Sequence, residues 1–184
     1  MHEMIEAIKK YVPYCEQESK DKEIILNLIN EKNEKILKRD CEICHITSSG
    51  FVINEGRDKF LIVHHNIYDT WSWIGGHADG ESDLFSVACH EIKEESGIVH
   101  IKPDKNEIVS LDILTTSSHY RKNEYVPAHL HLNISYLFIV DVNDPLIIKP
   151  DENSAVSWVS VKDIDRYITE KEMSRVFQKM KRYL

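Results

Sequence analysis

The chain has 184 residues, 42% of them hydrophobic, and sets 23 Lys and Arg against 31 Asp and Glu for a formal net charge of −8 at pH 7. That length buries one sizeable core with little room for two full domains, and the acidic balance without a basic stripe argues against a nucleic-acid polymer or an anionic membrane as partner. No apolar run approaches the roughly 20 residues of a membrane span, and the acidic start Met1-His2-Glu3-Met4-Ile5-Glu6 is unlike a signal sequence, so a cytoplasmic protein is expected.

Met1 to about Lys10 reads as a short helix stopped before Pro13. Asp21 to about Lys38 reads as a second, with Ile25, Leu28, Ile29, Ile36 and Leu37 on one side and the pairs Glu31/Lys35 and Glu34/Lys38 on the other. Residues 1–40 are therefore expected to be a helical extension to a domain over 41–184. Their apolar stripe must pack on that domain or on a second copy, which would make a homodimer. The four cysteines, Cys15, Cys41, Cys44 and Cys89, are too scattered for a disulfide scaffold. Cys41-Glu42-Ile43-Cys44-His45 has the spacing of a c-type haem attachment site, a chemistry that needs export; zinc at Cys41 and Cys44 would need two further ligands that spacing does not assign.

At His45 the pattern turns to β. His45 to Ile53 and Phe60 to His64 read as a hairpin around the turn Asn54-Glu55-Gly56-Arg57-Asp58, and Trp71-Ser72-Trp73 as a short strand. The glycines Gly75 and Gly76 then open a loop, Ser82 is the expected N-cap, and nothing breaks a helix from there to Ser96, where Gly97 supplies a stop. At about 100° per residue, Leu84, Phe85, Val87, Ala88 and Ile92 form the buried arc of this helix. Glu91 and Glu95 fall inside that arc, Glu94 at its edge, and Lys93 opposite.

Gathering ionised carboxylates at a partly buried edge costs on the order of several kcal/mol unless something neutralises them. Lys93 faces the wrong way and His90 reaches only Glu94, so a hard divalent cation, Mg²⁺ or Mn²⁺, suits these oxygen ligands better than zinc. On the helix alone, a plainly solvated acidic face stays open; the glycine turn ahead of it, with carbonyls for a metal and amides for an anion, favours the metal. His90-Glu91-Ile92-Lys93-Glu94 is not a zinc-peptidase motif, because Glu94 stands where a second His is required.

Farther on, Lys102 to Asn106 is a polar loop, Ile108 to Thr115 a strand, and Ser117 to Pro127 a long polar connection of the kind that often carries function. Ala128 to Val142 is the longest strand signal. His129, His131 and Asn133 share one of its faces, as a cavity wall or substrate contact, or as hydrogen-bonded core histidines. Asp141 to Ser154 is irregular around Pro145 and Pro150, Val156 to Val161 a last strand, and Lys162 to Leu184 helical in one or two pieces with Val176, Phe177 and Met180 inward. Helices alternating with a mixed set of strands point to an α/β/α sandwich.

The stretch Gly75 to Ile98, with its Gly75-Gly76-His77-Ala78-Asp79-Gly80 loop, resembles the box of the Nudix hydrolase (MutT-like) family: Gly, five residues, Glu, seven residues, Arg-Glu, apolar, any, Glu-Glu, any, Gly, apolar. Gly76, Glu91, Ile92, Glu94, Glu95, Gly97 and Ile98 stand at the matching places. Ser82 replaces the first Glu and His90 the Arg, with Glu81 one residue early as a substitute carboxylate. The resemblance extends from about His45 to about Ile164. It implies a Nudix-type α/β/α sandwich with a mixed central sheet, and a metal-dependent hydrolase that cleaves the diphosphate linkage of a nucleoside diphosphate derivative or a similar small compound. It also implies Mg²⁺, or Mn²⁺, on Glu91, Glu94, Glu95 and the Gly75 carbonyl, with a carboxylate from outside the box as ligand or base: Glu152 first, Glu124 second. Glu91, Glu94, Glu95 and Glu152 are thus the candidate catalytic residues. Candidate substrate contacts are His77, His129 and His131, with Tyr120, Tyr125 or Phe51 for base stacking. Ser82 and His90 keep a second reading open, a Nudix fold that holds a nucleotide without cleaving it; an isomerase of a diphosphate lipid is a third, which nothing specific favours.

Overall fold

A computed structural model describes residues 1–121 and 123–184. In chain order the helices are α1 (His2–Lys10), α2 (Glu16–Lys32), α3 (Leu84–Ser96), α4 (Ile164–Tyr167) and α5 (Lys171–Met180). The strands are β1 (Cys44–Asn54), β2 (Lys59–His65), β3 (Thr70–Ser72), β4 (Ile74–His77), β5 (Lys102–Pro103), β6 (Ser110–Thr116), β7 (His119–Arg121), β8 (Glu124–Val126), β9 (His129–Val140) and β10 (Asn153–Ser160). The large sheet runs β10-β2-β1-β9-β5, with β3 on β2, β4 on β1 and β6 on β9. It is mixed: β1 and β9 pair in parallel from Cys44↔Leu130 to Asn54↔Val140, and the other pairs are antiparallel.

β1 is buried along its whole length, so its alternation feeds two cores. Ile46 and Val52 pack with Leu84, Ala88 and Ile92 of α3 and with Met4, Ile8, Ile25 and Ile29 of the N-terminal helices. Phe51 and Ile53 face the opposite way, onto Val176, Phe177 and Met180 of α5. Helices on both faces of one sheet make the expected α/β/α sandwich. The second face is apolar only near α5; toward the start of β1 it turns polar through Ser49, Thr47 and His45, all buried. Phe51 and Phe60 pack edge-on against Phe177, and truncating Phe177 to Ala would cost about 3–5 kcal/mol. No helix of the described residues is long and apolar enough to cross a membrane.

The elements depart from the sequence reading in five places. α2 starts earlier than Asp21, at Glu16, and ends earlier than Lys38 because Asn33 at φ 53° leaves the helical region and a 3₁₀ turn, Asn33–Leu37, follows. The expected Glu31/Lys35 spacing is therefore lost, and Glu31 pairs with Lys32 at 2.6 Å. Gly75 and Gly76 are not a loop but part of β4, paired with Ser49 and Ser48, and the turn comes after them at Asp79 and Gly80. β5 lies within the expected loop 102–106, pairing with Ile139 and Phe138. The connection 117–127 folds as the antiparallel pair β7–β8, with Asn123 at φ 67° in its turn; Lys122 of that stretch lies outside the described residues. β10 begins at Asn153, three residues before the expected Val156, through an irregularity between Asn153 and Ala155.

Candidate active site

α3 is held at both ends by side-chain chemistry. Its cap is Asp83, not Ser82: the Asp83 carboxylate accepts the Ser86 N–H at 3.1 Å and the Ser86 hydroxyl at 2.7 Å. Glu81 Oε1 accepts the N–H groups of Ser82 and Asp83 at 2.7 and 2.8 Å, which commits this carboxylate to the turn ahead of the helix. At the far end Gly97 takes φ 73° and donates its N–H to the Lys93 carbonyl, the left-handed stop that glycine permits.

Between those ends, Leu84, Ala88 and Ile92 pack into the core, and the same rotation presses Glu91 and Glu95 against β4. The Gly75 N–H donates to Glu95 Oε1 at 3.2 Å. Gly76 approaches Glu91 so closely that a Cβ there would overlap its carboxylate. Glu152, just ahead of β10, arrives from the other side. Glu91, Glu95 and Glu152 each bring a carboxylate oxygen into a group whose members all lie within 4.8 Å of one another. Glu94 is not in that group. It is exposed, and its Oε2 lies 2.8 Å from Lys149 Nζ, so the expected His90–Glu94 pair does not form. His90 is itself exposed on α3. Glu124 is exposed on β8, also outside the group.

The electrostatics follow from the crowding. Burial, then repulsion from Glu152 and Glu94, pushes the Glu91 carboxyl up to about 7. Burial and then Glu91 push Glu95 up to about 8, against the Gly75 N–H. Lys149 is the nearby cation, 2.8 Å from Glu94 and 3.1 Å from Glu152 Oε1, and its hydrogen bond to Glu94 raises its ammonium above the usual range. Among the described residues one paired lysine faces four acids, a set of hard oxygen donors whose ionised form Mg²⁺ or Mn²⁺ would favour.

Two residues at this site were missed by the sequence reading. Asn153 is fully buried, donates to the Glu95 carbonyl at 2.9 Å and accepts the Lys149 N–H at 3.2 Å. With the Ile147 N–H on the Ser96 carbonyl at 2.8 Å, it fastens the 147–153 segment to the end of α3 and so delivers Lys149 and Glu152. The only local hint was the i,i+3 spacing of Lys149 and Glu152.

The sequence-predicted histidines lie elsewhere. His77 at the end of β4 and His129 and His131 on β9 come together with His45 of β1, which the sequence reading did not include. Of the stacking candidates, Tyr120 and Tyr125 are exposed on β7–β8, 5.7 Å apart between ring centroids. Phe51 is unavailable: alternation along β1 seals it in the α5 core, 5.0 Å from the Trp73 ring.

A family model described as NUDIX domain matches residues 45–180. No curated protein sequence matches the chain. Among solved structures, a C. elegans Ap4A hydrolase binary complex superposes with a TM-score of 0.57 at 16% identity, over 75% of this chain and 96% of that one. The E. coli dihydroneopterin triphosphate pyrophosphohydrolase gives 0.55 at 11% identity over 76% and 96%. The NUDIX domain of Shewanella oneidensis NrtR, complexed with ADP ribose, gives 0.54 at 13% over 75% and 86%. At such identities the likeness is one of fold.

Proposed function

This chain belongs to the NUDIX family of pyrophosphohydrolases, and on that footing we propose that it hydrolyses the diphosphate linkage of a nucleoside diphosphate derivative or a similar small pyrophosphate compound with Mg²⁺ or Mn²⁺. The observation that carries this reading is the gathering of Glu91, Glu95 and Glu152 against Gly75 and Gly76, with acid in excess of base. Glu91 and Glu95 would hold the cation, with Glu94 and the Gly75 carbonyl as further ligands. The cation, when bound, screens phosphate charge and lowers the pKa of a coordinated water. Glu152 stands off the box helix and accepts the proton of the attacking water, while water oxygen bonds to phosphorus and the bridging phosphate oxygen leaves. Lys149, already on Glu152, orients that carboxylate and offsets negative charge building on the phosphate. Gly75 fixes Glu95 through its N–H.

The substrate class draws support from the named structural neighbours, an Ap4A hydrolase, a dihydroneopterin triphosphate pyrophosphohydrolase and a domain holding ADP ribose, whose ligands all carry phosphoanhydrides. A second reading, binding without cleavage, is favoured by one observation: exposed His90 occupies the box position at which the family has an Arg that orients the catalytic Glu. The test is a panel of nucleotide sugars, dinucleoside polyphosphates, ADP-ribose and oxidised nucleotides with Mg²⁺ or Mn²⁺, followed by ³¹P NMR. The expected result is cation-dependent cleavage that Glu95→Gln abolishes. Cation-dependent binding with no cleavage of any compound would instead establish the second reading.

A further inference from the structure

The polar end of the sheet face opposite α3 carries a second cluster of donors, and these are all nitrogen. Strand alternation sets them there: His45 lies beside His131 in the parallel β1–β9 ladder, and Thr47, two residues along β1, pairs with His77 of β4. His129 follows two residues before His131 on the same face. Neighbouring rings stand 4.8 to 5.1 Å apart between centroids, for His45 with His77, His129 and His131. One ring nitrogen from each of the four lies within 4.8 Å of the others. His129 Nε2 and His131 Nε2 are 3.0 Å apart, close to the roughly 3.3 Å edge of a tetrahedron with metal–nitrogen bonds of about 2.0–2.1 Å.

The outward nitrogens are tied to oxygen. His45 Nδ1 lies 3.2 Å from the Cys41 carbonyl and His129 Nδ1 2.8 Å from the Pro127 carbonyl. A carbonyl only accepts, so in both rings Nδ1 carries the hydrogen and Nε2 presents its lone pair inward. This is the outer support that metal-bound imidazoles use to fix tautomer and orientation. The His129 lone pair meets His131 Nε2 at 3.0 Å, whereas His45, 4% exposed, has its Nε2 buried without a hydrogen-bond partner among the described residues. An unmet acceptor of that kind costs about 1–3 kcal/mol.

We propose that His45, His77, His129 and His131 form a binding site for one borderline divalent transition metal of the zinc class, separate from the carboxylate cluster. Imidazole donors without a carboxylate select such a metal over Mg²⁺. Burial favours the neutral imidazole, the form that ligates, at His45 and His131. Cys41 and Cys44 take no part, since Cys44 alternates onto the opposite face from His45 and packs in the apolar core. The four ligands come from β1, β4 and β9, and His77 is the residue after Gly76. A metal here would therefore clamp the end of the strand against which Glu91 and Glu95 are set.

The test uses the full chain, stripped with chelator and titrated with Zn²⁺ alone, and with Co²⁺ as a spectroscopic probe, in excess Mg²⁺. One Zn²⁺ per chain is expected, with a rise in melting temperature and a Co²⁺ visible spectrum of tetrahedral nitrogen ligation. His45→Gln, and independently the half-buried His77→Gln, should each weaken Zn²⁺ by roughly 100-fold or more, beyond the loss typical of an outer-sphere change. Glu91→Gln and Glu95→Gln should retain it. Absence of stoichiometric Zn²⁺ in the folded wild-type chain overturns the proposal, as does Zn²⁺ binding that both histidine variants keep or that the glutamate variants lose. Because metal content and the Co²⁺ spectrum are read without any substrate, the outcome is independent of the hydrolase reading.

Discussion

Two groups of withdrawn acids in this molecule are treated in opposite ways. Glu18 of α2 and Asp112 of β6 are fully buried, and Lys179 of α5 reaches both, at 2.8 and 2.7 Å. The Ser110 hydroxyl, Tyr11 hydroxyl and Tyr14 N–H also donate to Glu18. Burial would raise the Glu18 carboxyl, but Lys179, Tyr11 and the Tyr14 N–H outweigh it and hold it below its ordinary range. Glu91 and Glu95 are instead pushed up, to about 7 and about 8. Where charge serves to join the N-terminal helices to the sheet and α5, the chain supplies its own cation. Around Glu91 and Glu95 the chain supplies Lys149, which pairs with Glu94 and Glu152 instead.

The sharpest way to break this contrast is Lys179→Met. It strands two buried carboxylates and should cost about 3–5 kcal/mol in urea unfolding; a loss under about 1 kcal/mol would show that the network is not the joint described. Glu95→Gln should act the other way on the two properties. Cation-dependent turnover falls at least about 100-fold, or about 2.7 kcal/mol, while the metal-free chain unfolds at the same urea concentration or higher. Parallel losses in both would put Glu95 in the structural class.

The pH profile separates the groups next. Folded Glu95 titrates near 8 against an ordinary 4.5, and Glu91 near 7, so in that window the native chain binds more protons than the unfolded one. Stability of the metal-free chain therefore declines as pH rises from about 4.5 toward 8, and Mg²⁺ should flatten the decline. Glu18 works in the opposite sense, its contribution being lost only as pH falls below its ordinary 4.5. Calorimetry across pH with and without Mg²⁺ reads both, and a metal-free chain whose melting point rises from pH 5 to 8 would contradict the assignment. Smallest is Lys149→Met: its pair with exposed Glu94 contributes at most about 1 kcal/mol to stability, whereas the apparent Mg²⁺ affinity should increase. A larger stability loss would mean Lys149 carries the 147–153 segment rather than Asn153.

What the sequence disclosed was whatever has a local period. The register of Glu91 and Glu95 on α3, the face shared by His129 and His131 and the inward Val176, Phe177 and Met180 follow from spacing of 3.6 or 2 residues, and the stop at Gly97 from glycine's left-handed freedom. The cap shifted from Ser82 to Asp83 because both types cap and only the geometry chooses. β4 was hidden because two adjacent glycines have low strand preference; their reason is the carboxylate beside them. Lys149, Asn153 and His45 were out of reach for a different cause. Each acquires its role from a partner far away in the chain, Glu94, Glu95 and the β4–β9 histidines, and no periodicity signals such a meeting.

The parallel β1–β9 ladder also sets a schedule for how this protein is made. Its partners stand 86 residues apart, as Thr47 and Asn133 do, and a pairing so distant forms slowly because the intervening loop must close first. During synthesis the emerging N-terminal half holds β1 with one side open, an unsatisfied template for stray strands, until the chain through Val140 has cleared the ribosome.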